Sequence, residues 1–218
     1  MIKTSYVITV FFSILTFLTF CKGSNNPNGL ESQQSINQLA NDSIQLTALV
    51  RQVYKWHITD RLDDFPYKFE KSSENIFTGI DWDLYHQNIE IFKKTNFFTD
   101  DFLSFHKTIA LNLDSSIKKA DIKWRDINDG IPIWDTNADN WCGCQDNPDN
   151  YWEILTLAEI KIVSDSASFY WTWDASPIFA PHKYKMTALK KGDQWIINSL
   201  EGFKYFGSVE DYDRIMKE

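Results

Sequence analysis

Positive charge is scarce in this sequence. Its 22 Lys and Arg stand against 30 Asp and Glu, which gives a formal net charge of -8 at pH 7. Nucleic acids are polyanions, and the domains that bind them present basic surfaces. The acidic balance therefore argues against a nucleic-acid partner. It favours cationic partners through a long-range attraction that salt screens beyond about 10 Å.

Glycine, proline and cysteine are also few, at eight, six and three among 218 residues. With 43% apolar and 24% charged residues, the chain is neither fibrous nor disordered, and it is long enough for one substantial core. No internal repeat and no second break in composition occur. We therefore expect a single domain over residues 41–207, followed by a charged tail at 208–218.

Several catalytic and cofactor motifs are missing. The sequence has no glycine-rich phosphate loop, no His-Glu-x-x-His and no Gly-x-Ser-x-Gly. A zinc site needs four ligands, and no segment rich in His or Cys joins Cys142 and Cys144 to complete one. We expect no cofactor.

Residues 1–20 have the layout of a signal peptide. Lys3 is the one charge, and an apolar stretch runs from Tyr6 to Phe20. That stretch would form only about 22 Å of helix, short of the ~30 Å hydrocarbon core of a membrane. Export with cleavage is therefore the expected outcome.

Cys21 directly follows the apolar stretch. The tetrad Leu18-Thr19-Phe20-Cys21 resembles the lipobox of bacterial lipoproteins, although that family prefers a small residue where Phe20 stands. The resemblance implies a lipidated Cys21 that anchors the protein to the outer membrane of the cell envelope. The alternative is ordinary secretion with cleavage near Cys21. Residues 21–40, rich in Ser, Asn, Gln and Gly, read as a flexible tether.

The first half of the mature chain has a helical period. It predicts a helix that starts near Asn41 with Asp42 or Ser43 as its N-cap, a second over Asp81 to Asn96, and a third capped by Thr99. The region between Pro66 and Gly79 reads as looser structure.

After Gly130 the period changes to two. Four segments alternate apolar and polar side chains, and short turns join them into an antiparallel meander: 156–163, 169–174, 184–189 and 195–200. The fold class is therefore α+β, with N-terminal helices packed on a curved C-terminal antiparallel sheet in a cone-like arrangement.

Two segments carry a family resemblance. These are KYKMTALKKGDQWIINSL, which gives the last two strands, and DNWCGCQD, which precedes the sheet. Together with the element order they resemble the nuclear-transport-factor-2-like superfamily, and within it an uncharacterised family of exported bacterial lipoproteins. The resemblance implies a cavity between the sheet and the long helix. Members include isomerases, dehydratases and binding proteins.

His57 is the candidate general base. It lies on the apolar stripe of the first helix, and Asp60, three residues later, is placed to orient its ring. The alternative is a partly buried histidine bonded to backbone or water.

Three aromatic residues share one face of a predicted strand, namely Phe169, Trp171 and Trp173. If that face is concave, they form a platform for a flat or sugar ligand. The alternative is that they belong to the core.

The segment DTNADNWCGCQD resembles a calcium loop. Oxygen ligands recur at its first, third, fifth and twelfth positions, which are Asp135, Asn137, Asp139 and Asp146. An Asx-rich turn is the alternative, because the flanks do not read as helices. Within the same segment, Cys142 and Cys144 are the two cysteines left after Cys21, and a disulfide between them is open to an exported protein.

The sequence therefore predicts an exported, lipid-anchored binding or accessory protein of the cell envelope. Its partner would be a small ligand or an envelope protein, and its membrane contact would be the lipid. The alternative is an isomerase or hydro-lyase that uses His57 and Asp60 in the cone cavity.

Overall fold

The computed structural model describes residues 27–60, 62–71, 73–119, 134, 138–173 and 182–203. The chain divides into two units, Met1–Ile36 and Asn37–Glu218. The predicted signal peptide, the lipidation site Cys21 and the charged tail at 208–218 lie outside the described residues.

Four α-helices occur in the described part of the chain: α1 at Pro27–Asp60, α2 at Trp82–Thr95, α3 at Asp100–Lys119 and the short α4 at Tyr151–Ile154. Among these described segments, none is both long and apolar enough to cross a bilayer.

The first helix begins earlier than its apolar period does. It includes Pro27 to Ala40, part of the segment expected to be a tether. Good helix formers such as Gln33, Gln34 and Ala40 allow this extension. Asp42 consequently lies inside α1 and is not an N-cap. Its buried carboxylate instead accepts hydrogen bonds from Lys190 Nζ at 2.7 Å and Trp195 Nε1 at 3.0 Å.

Side-chain hydrogen bonds and backbone conformation explain three ends of the two following helices. Asp81 caps α2 by accepting the Leu84 N–H at 3.1 Å, and Asn96 ends it in the left-handed conformation with φ of 56°. Thr99 caps α3, where its hydroxyl accepts the Phe102 N–H at 3.0 Å.

One antiparallel sheet is formed by four strands: β3 at Thr156–Val163, β4 at Ser166–Thr172, β5 at Tyr184–Lys191 and β6 at Gln194–Leu200. They pair in the order β3-β4-β5-β6, which makes the α+β class and the meander correct. The cone-like curvature stays a prediction.

A separate antiparallel hairpin was not expected from the sequence. It pairs β1, Tyr67–Glu70, with β2, Ser73–Ile80, inside the region that reads as loose structure. A side chain of α3 fastens this hairpin, because Asp114 Oδ1 accepts the backbone N–H of Ile80 at 2.9 Å.

The core of the second unit joins α1 to the sheet. Leu46, Val50, Val53 and Tyr54 of α1 are all fully buried, in the same hydrophobic cluster as the inward side chains of β4, β5 and β6. The Arg51 guanidinium adds a polar link by donating through Nε and Nη2 to the carbonyl of Leu155, at 3.0 and 2.8 Å. The helices therefore cover the inner face of the sheet.

Candidate functional site

The predicted aromatic platform is mostly core. Phe169 and Trp171 are 1% and 0% exposed, and the Trp171 ring centroid lies 4.9 Å from that of Tyr54 on α1. Trp171 Nε1 also donates to the Tyr54 hydroxyl at 2.8 Å. Because α1 covers this face of β4, neither residue offers a ring to a ligand. Trp173 is only partly buried, and it stacks on His182 at 4.6 Å.

His57 is held by a different carboxylate from the one expected. Its ring stacks on Trp141 at 4.1 Å, and its Nε2 lies 3.9 Å from Asp139 Oδ2. Asp60 is exposed and has no ion pair with His57. The structure therefore places Asp139, and not Asp60, beside the His57 ring.

Asp139 is kept in its anionic form. Burial raises the pKa of this carboxyl, but the interaction with His57 and the hydrogen bond from the Trp141 N–H outweigh burial and lower it. Asp139 and His57 do not line any of the grooves described below. The pair is therefore not placed beside a substrate-sized space.

The calcium prediction falls partly outside the described residues, where Asp135 and Asn137 lie. Of the other two candidates, Asp139 already accepts the Trp141 N–H at 2.8 Å through Oδ1, and Asp146 is exposed. Within the described ranges no cluster of three or more His, Cys, Asp or Glu side chains could hold a metal ion.

The loop from Asp139 to Cys144 is closed by a disulfide between Cys142 and Cys144. The backbone of Asp139 donates to the Cys144 carbonyl at 2.8 Å. The half-cystines are 0% and 9% exposed, so the sulfurs are shielded from solvent reductants. His182 fixes the loop further: because the Cys142 carbonyl only accepts, the imidazole Nε2 must donate, at 2.8 Å.

A buried polar chain that sequence reasoning missed joins α2, α3 and this loop. His106 is 1% exposed; its Nδ1 lies 3.0 Å from the Tyr85 hydroxyl and its Nε2 lies 3.5 Å from Asp64 Oδ1. Trp141 Nε1 donates to the other oxygen of Asp64 at 2.8 Å. Burial, and then the charge of Asp64, raise the pKa of Tyr85, so its hydroxyl stays protonated.

Beside Asp64 lies a groove of about 380 Å³ with apolar and acidic walls. Its lining residues are Leu62, Asp63, Asp64, Phe65, Pro66, Tyr67, Phe69, Leu84 and Trp134. Both oxygens of Asp64 already have partners in the polar chain. The Asp64 carboxylate in this groove is therefore already bonded to His106 and Trp141.

A larger groove of about 670 Å³ lies between α1, the end of α2 and the turn that joins β5 to β6. We call it the amide groove, because four of its side chains are carboxamides. It is lined by Gln45, Ala48, Leu49, Gln52, Thr95, Asn96, Phe97, Asp193, Gln194 and Trp195. Its volume lies within the usual range of small-ligand sites, about 300–1,000 Å³.

The walls of the amide groove are held by specific bonds. The segment after α2 runs parallel to β6, where Ile197 N donates to Phe97 O at 2.7 Å and Thr99 N donates to Ile197 O at 2.9 Å. Asp42 connects α1 to β5 through Lys190 and to β6 through Trp195. The site is therefore built on packed elements and not on a free loop.

One buried polar atom of a residue that lines the amide groove lacks a partner among the described residues. The side-chain carbonyl oxygen of Gln45 is buried and accepts no hydrogen bond from any described residue. Buried polar atoms are nearly always paired, and an exception calls for an explanation. Gln52 and Gln194, by contrast, are exposed at the groove.

A second groove of about 460 Å³ continues from the first one. The two share Asn96 and Gln194, and the second adds Lys93, Lys191 and Asp100, together with Phe98, Leu103 and Ile196. Its basic residues distinguish it from the amide groove.

No family model matches the sequence, and no curated protein matches it. Among solved structures, the chain is similar to a protein of unknown function from Bacteroides thetaiotaomicron VPI-5482, solved by crystallography at 2.10 Å resolution. The identity is 10% and the TM-score 0.38, over 78% of this chain and 98% of that chain. The nuclear-transport-factor-2-like resemblance stays a prediction.

Proposed function

We propose that this chain is an exported, lipid-anchored binding protein of the cell envelope, and that the amide groove is its binding site. The observation that carries the binding site is a groove of about 670 Å³ built on packed elements and lined by side-chain amides. Export and lipid anchoring are proposed from the sequence of residues 1–21 alone. Of the three grooves described, it has the largest volume.

The lining of the amide groove favours binding over catalysis. Acid–base or nucleophilic catalysis needs a titratable or nucleophilic group in reach of the substrate. Asp193 is the one ionisable side chain in this lining, and it is exposed on the turn between β5 and β6. Carboxamides, in contrast, neither transfer protons nor attack substrates at neutral pH, but they orient ligands through hydrogen bonds.

The isomerase or hydro-lyase alternative is less favoured. It requires His57 inside a cavity with a carboxylate that orients its ring. Asp139 supplies such a carboxylate at 3.9 Å, but the faces of His57 and Trp141 stack on each other, and neither residue lines a described groove.

Filling the amide groove should remove a bound ligand. Ala48 lies on an exposed part of α1 in the groove lining, so Ala48→Trp inserts an indole without disturbing the core. We expect native mass spectrometry of the purified full chain to detect an added mass on the original protein and none on Ala48→Trp.

A matched control is Leu111→Trp, which introduces the same side chain at a half-exposed position of α3 that lines none of the three grooves. It should retain the added mass. An added mass that survives Ala48→Trp would place binding elsewhere. The proposal is contradicted if the original protein carries no added mass and also binds no small ligand in titration.

The lipid anchor has its own test. Cys21→Ala removes the thiol to which the lipid is attached, so we expect the protein to move from the membrane fraction to the soluble fraction. Cys142 and Cys144 are held in their disulfide and do not substitute for it. Equal partitioning of Cys21→Ala and the original protein would exclude lipidation.

A further inference from the structure

We infer that the ligand of the amide groove is a neutral carbohydrate, such as a short oligosaccharide. This inference rests on the proposed function, since it names the ligand class of the same groove. It is argued from the charge, the hydrogen-bonding groups and the apolar surface of the lining residues, and from the backbone of β6 beside them.

The charge of the lining excludes strongly charged ligands. The ten lining residues include no Lys, Arg or His, so an anionic ligand would find no counter-charge there. Asp193 is the sole acidic group, and it is exposed to water, where one charge pair contributes little. A ligand held mainly in this groove is therefore neutral.

The polar groups of the lining suit hydroxyl groups. Each carboxamide offers an acceptor oxygen and two N–H donors, and each sugar hydroxyl is both a donor and an acceptor. Gln45, Gln52, Asn96 and Gln194 bring four such amides to one groove. The oxygen of Gln45 is an acceptor without a donor among the described residues, and because it is buried, a ligand hydroxyl supplies one only after the side-chain amide turns toward the groove.

The apolar part of the groove suits the C–H face of a sugar ring. Leu49 and Phe97 line it, and Phe97 is partly exposed. Apolar walls with a few convergent polar groups are the usual composition of small-ligand sites. A pyranose ring presents the same combination, with C–H groups on its faces and hydroxyls at its rim.

A peptide strand fits this site less well. Extended peptides bind by adding to a free sheet edge through backbone hydrogen bonds. The outer edge of β6 is occupied at Ile197, whose N–H and carbonyl bond to Phe97 O and Thr99 N. Only Gln194 and Trp195 of β6 line the groove itself, so a peptide strand could add along no more than two residues there.

The test is calorimetric titration of the full chain with three probes: maltotriose, cellotriose and trialanine blocked at both ends. We expect at least one trisaccharide to bind and the blocked peptide not to bind. Gln52→Met and Gln194→Met keep the side-chain length but remove the amide. Each should weaken sugar binding about two- to twelvefold, the value of one hydrogen bond.

Gln87→Met is the matched control. Gln87 is exposed on α2 and lines none of the three grooves, so its replacement should leave the affinity unchanged. Equal weakening by Gln87→Met and Gln52→Met would overturn the inference.

Gln45→Met separates a ligand contact from a purely structural role. Removal of a buried, unpaired acceptor should raise Tm by about 2–4 °C in the absence of sugar, while the sugar affinity falls. A higher Tm with unchanged affinity would overturn the assignment of Gln45 as a ligand contact.

The binding site and the ligand class can be disproved separately. A mass that is present on the original protein and lost in Ala48→Trp, but that is not a carbohydrate, would overturn the ligand class and keep the binding site. Binding of the blocked peptide alone would have the same meaning. If no mass and no probe binds, both proposals are wrong.

Discussion

Asp42→Ala is expected to lower the free energy of unfolding by about 2–4 kcal/mol. The Asp42 carboxylate is 4% exposed, and it accepts hydrogen bonds from Lys190 and Trp195 on two neighbouring strands. Its loss leaves the buried indole N–H of Trp195 without an acceptor and the Lys190 ammonium without its counter-ion. Lys190 keeps some exposure to water, which limits the cost. Urea unfolding at pH 7 measures the difference.

The effect should depend on pH in a defined direction. Burial raises the pKa of Asp42, but the bonds from Lys190, Gln38 and Trp195 outweigh burial and lower it. A carboxyl whose folded pKa lies below its unfolded value of about 3.9 contributes stability above that pH and loses it as the pH falls. The gap between the original protein and Asp42→Ala should therefore be constant from pH 5 to 7 and shrink below about pH 4.

Two further variants sharpen this result. Asp42→Asn keeps an oxygen acceptor for Trp195 and loses the charge, so it should cost less than Asp42→Ala. Asp146→Ala removes an exposed carboxylate and should stay within about 0.5 kcal/mol of the original protein. A gap between the original protein and Asp42→Ala that grows on acidification would contradict the assigned ion pair.

Helix ends were predictable because their signals are local. Thr99 was predicted as a cap, and the helix predicted over Asp81 to Asn96 is capped by these two residues in the structure. The prediction of Asp42 as an N-cap was wrong, because this favourable N-cap residue lies inside a helix. There the deciding interactions come from Lys190 and Trp195, far away in sequence, and local rules do not include them.

The hairpin of β1 and β2 was missed for a physical reason. The β1 sequence alternates Tyr, Lys, Phe and Glu, but four residues are the shortest run that indicates a strand. The β2 sequence, SENIFTGI, does not alternate regularly, and its pairing with β1 is interrupted by two register shifts. The strand signal in this region is therefore short and irregular.

The candidate site could not be predicted from local sequence patterns either. The amide groove draws Gln52 from α1, Asn96 from the end of α2 and Gln194 from the start of β6. A single glutamine on an exposed face carries no signal of its own, whereas Trp171 and His57 attract attention by residue type. In the structure Trp171 is fully buried in the core and His57 stacks on a buried tryptophan.

Tyr54→Phe and Tyr151→Phe are expected to change stability in opposite directions. Both tyrosines are 0% exposed, and their ring centroids lie 5.6 Å apart. The Tyr54 hydroxyl donates to the Trp141 carbonyl at 2.5 Å and accepts from Trp171 Nε1 at 2.8 Å. The Tyr151 hydroxyl is buried without a partner among the described residues. Burial raises the pKa of Tyr54 well above 10, so its hydroxyl keeps its proton.

Tyr54→Phe leaves one buried donor and one buried acceptor unpaired, which should cost about 2–4 kcal/mol. Tyr151→Phe removes an unpaired hydroxyl and should leave the free energy of unfolding unchanged or raise it by up to about 2 kcal/mol. Trp171→Phe added to Tyr54→Phe removes the orphaned indole N–H, so the double variant should lose less than the sum of the single losses. Thermal and urea unfolding of the original protein, the three single variants and the double variant give these values. Equal losses for the two Tyr→Phe variants would contradict the role of the Tyr54 hydroxyl. Ring packing alone would then hold α1 to β4 and to the loop from Asp139 to Cys144.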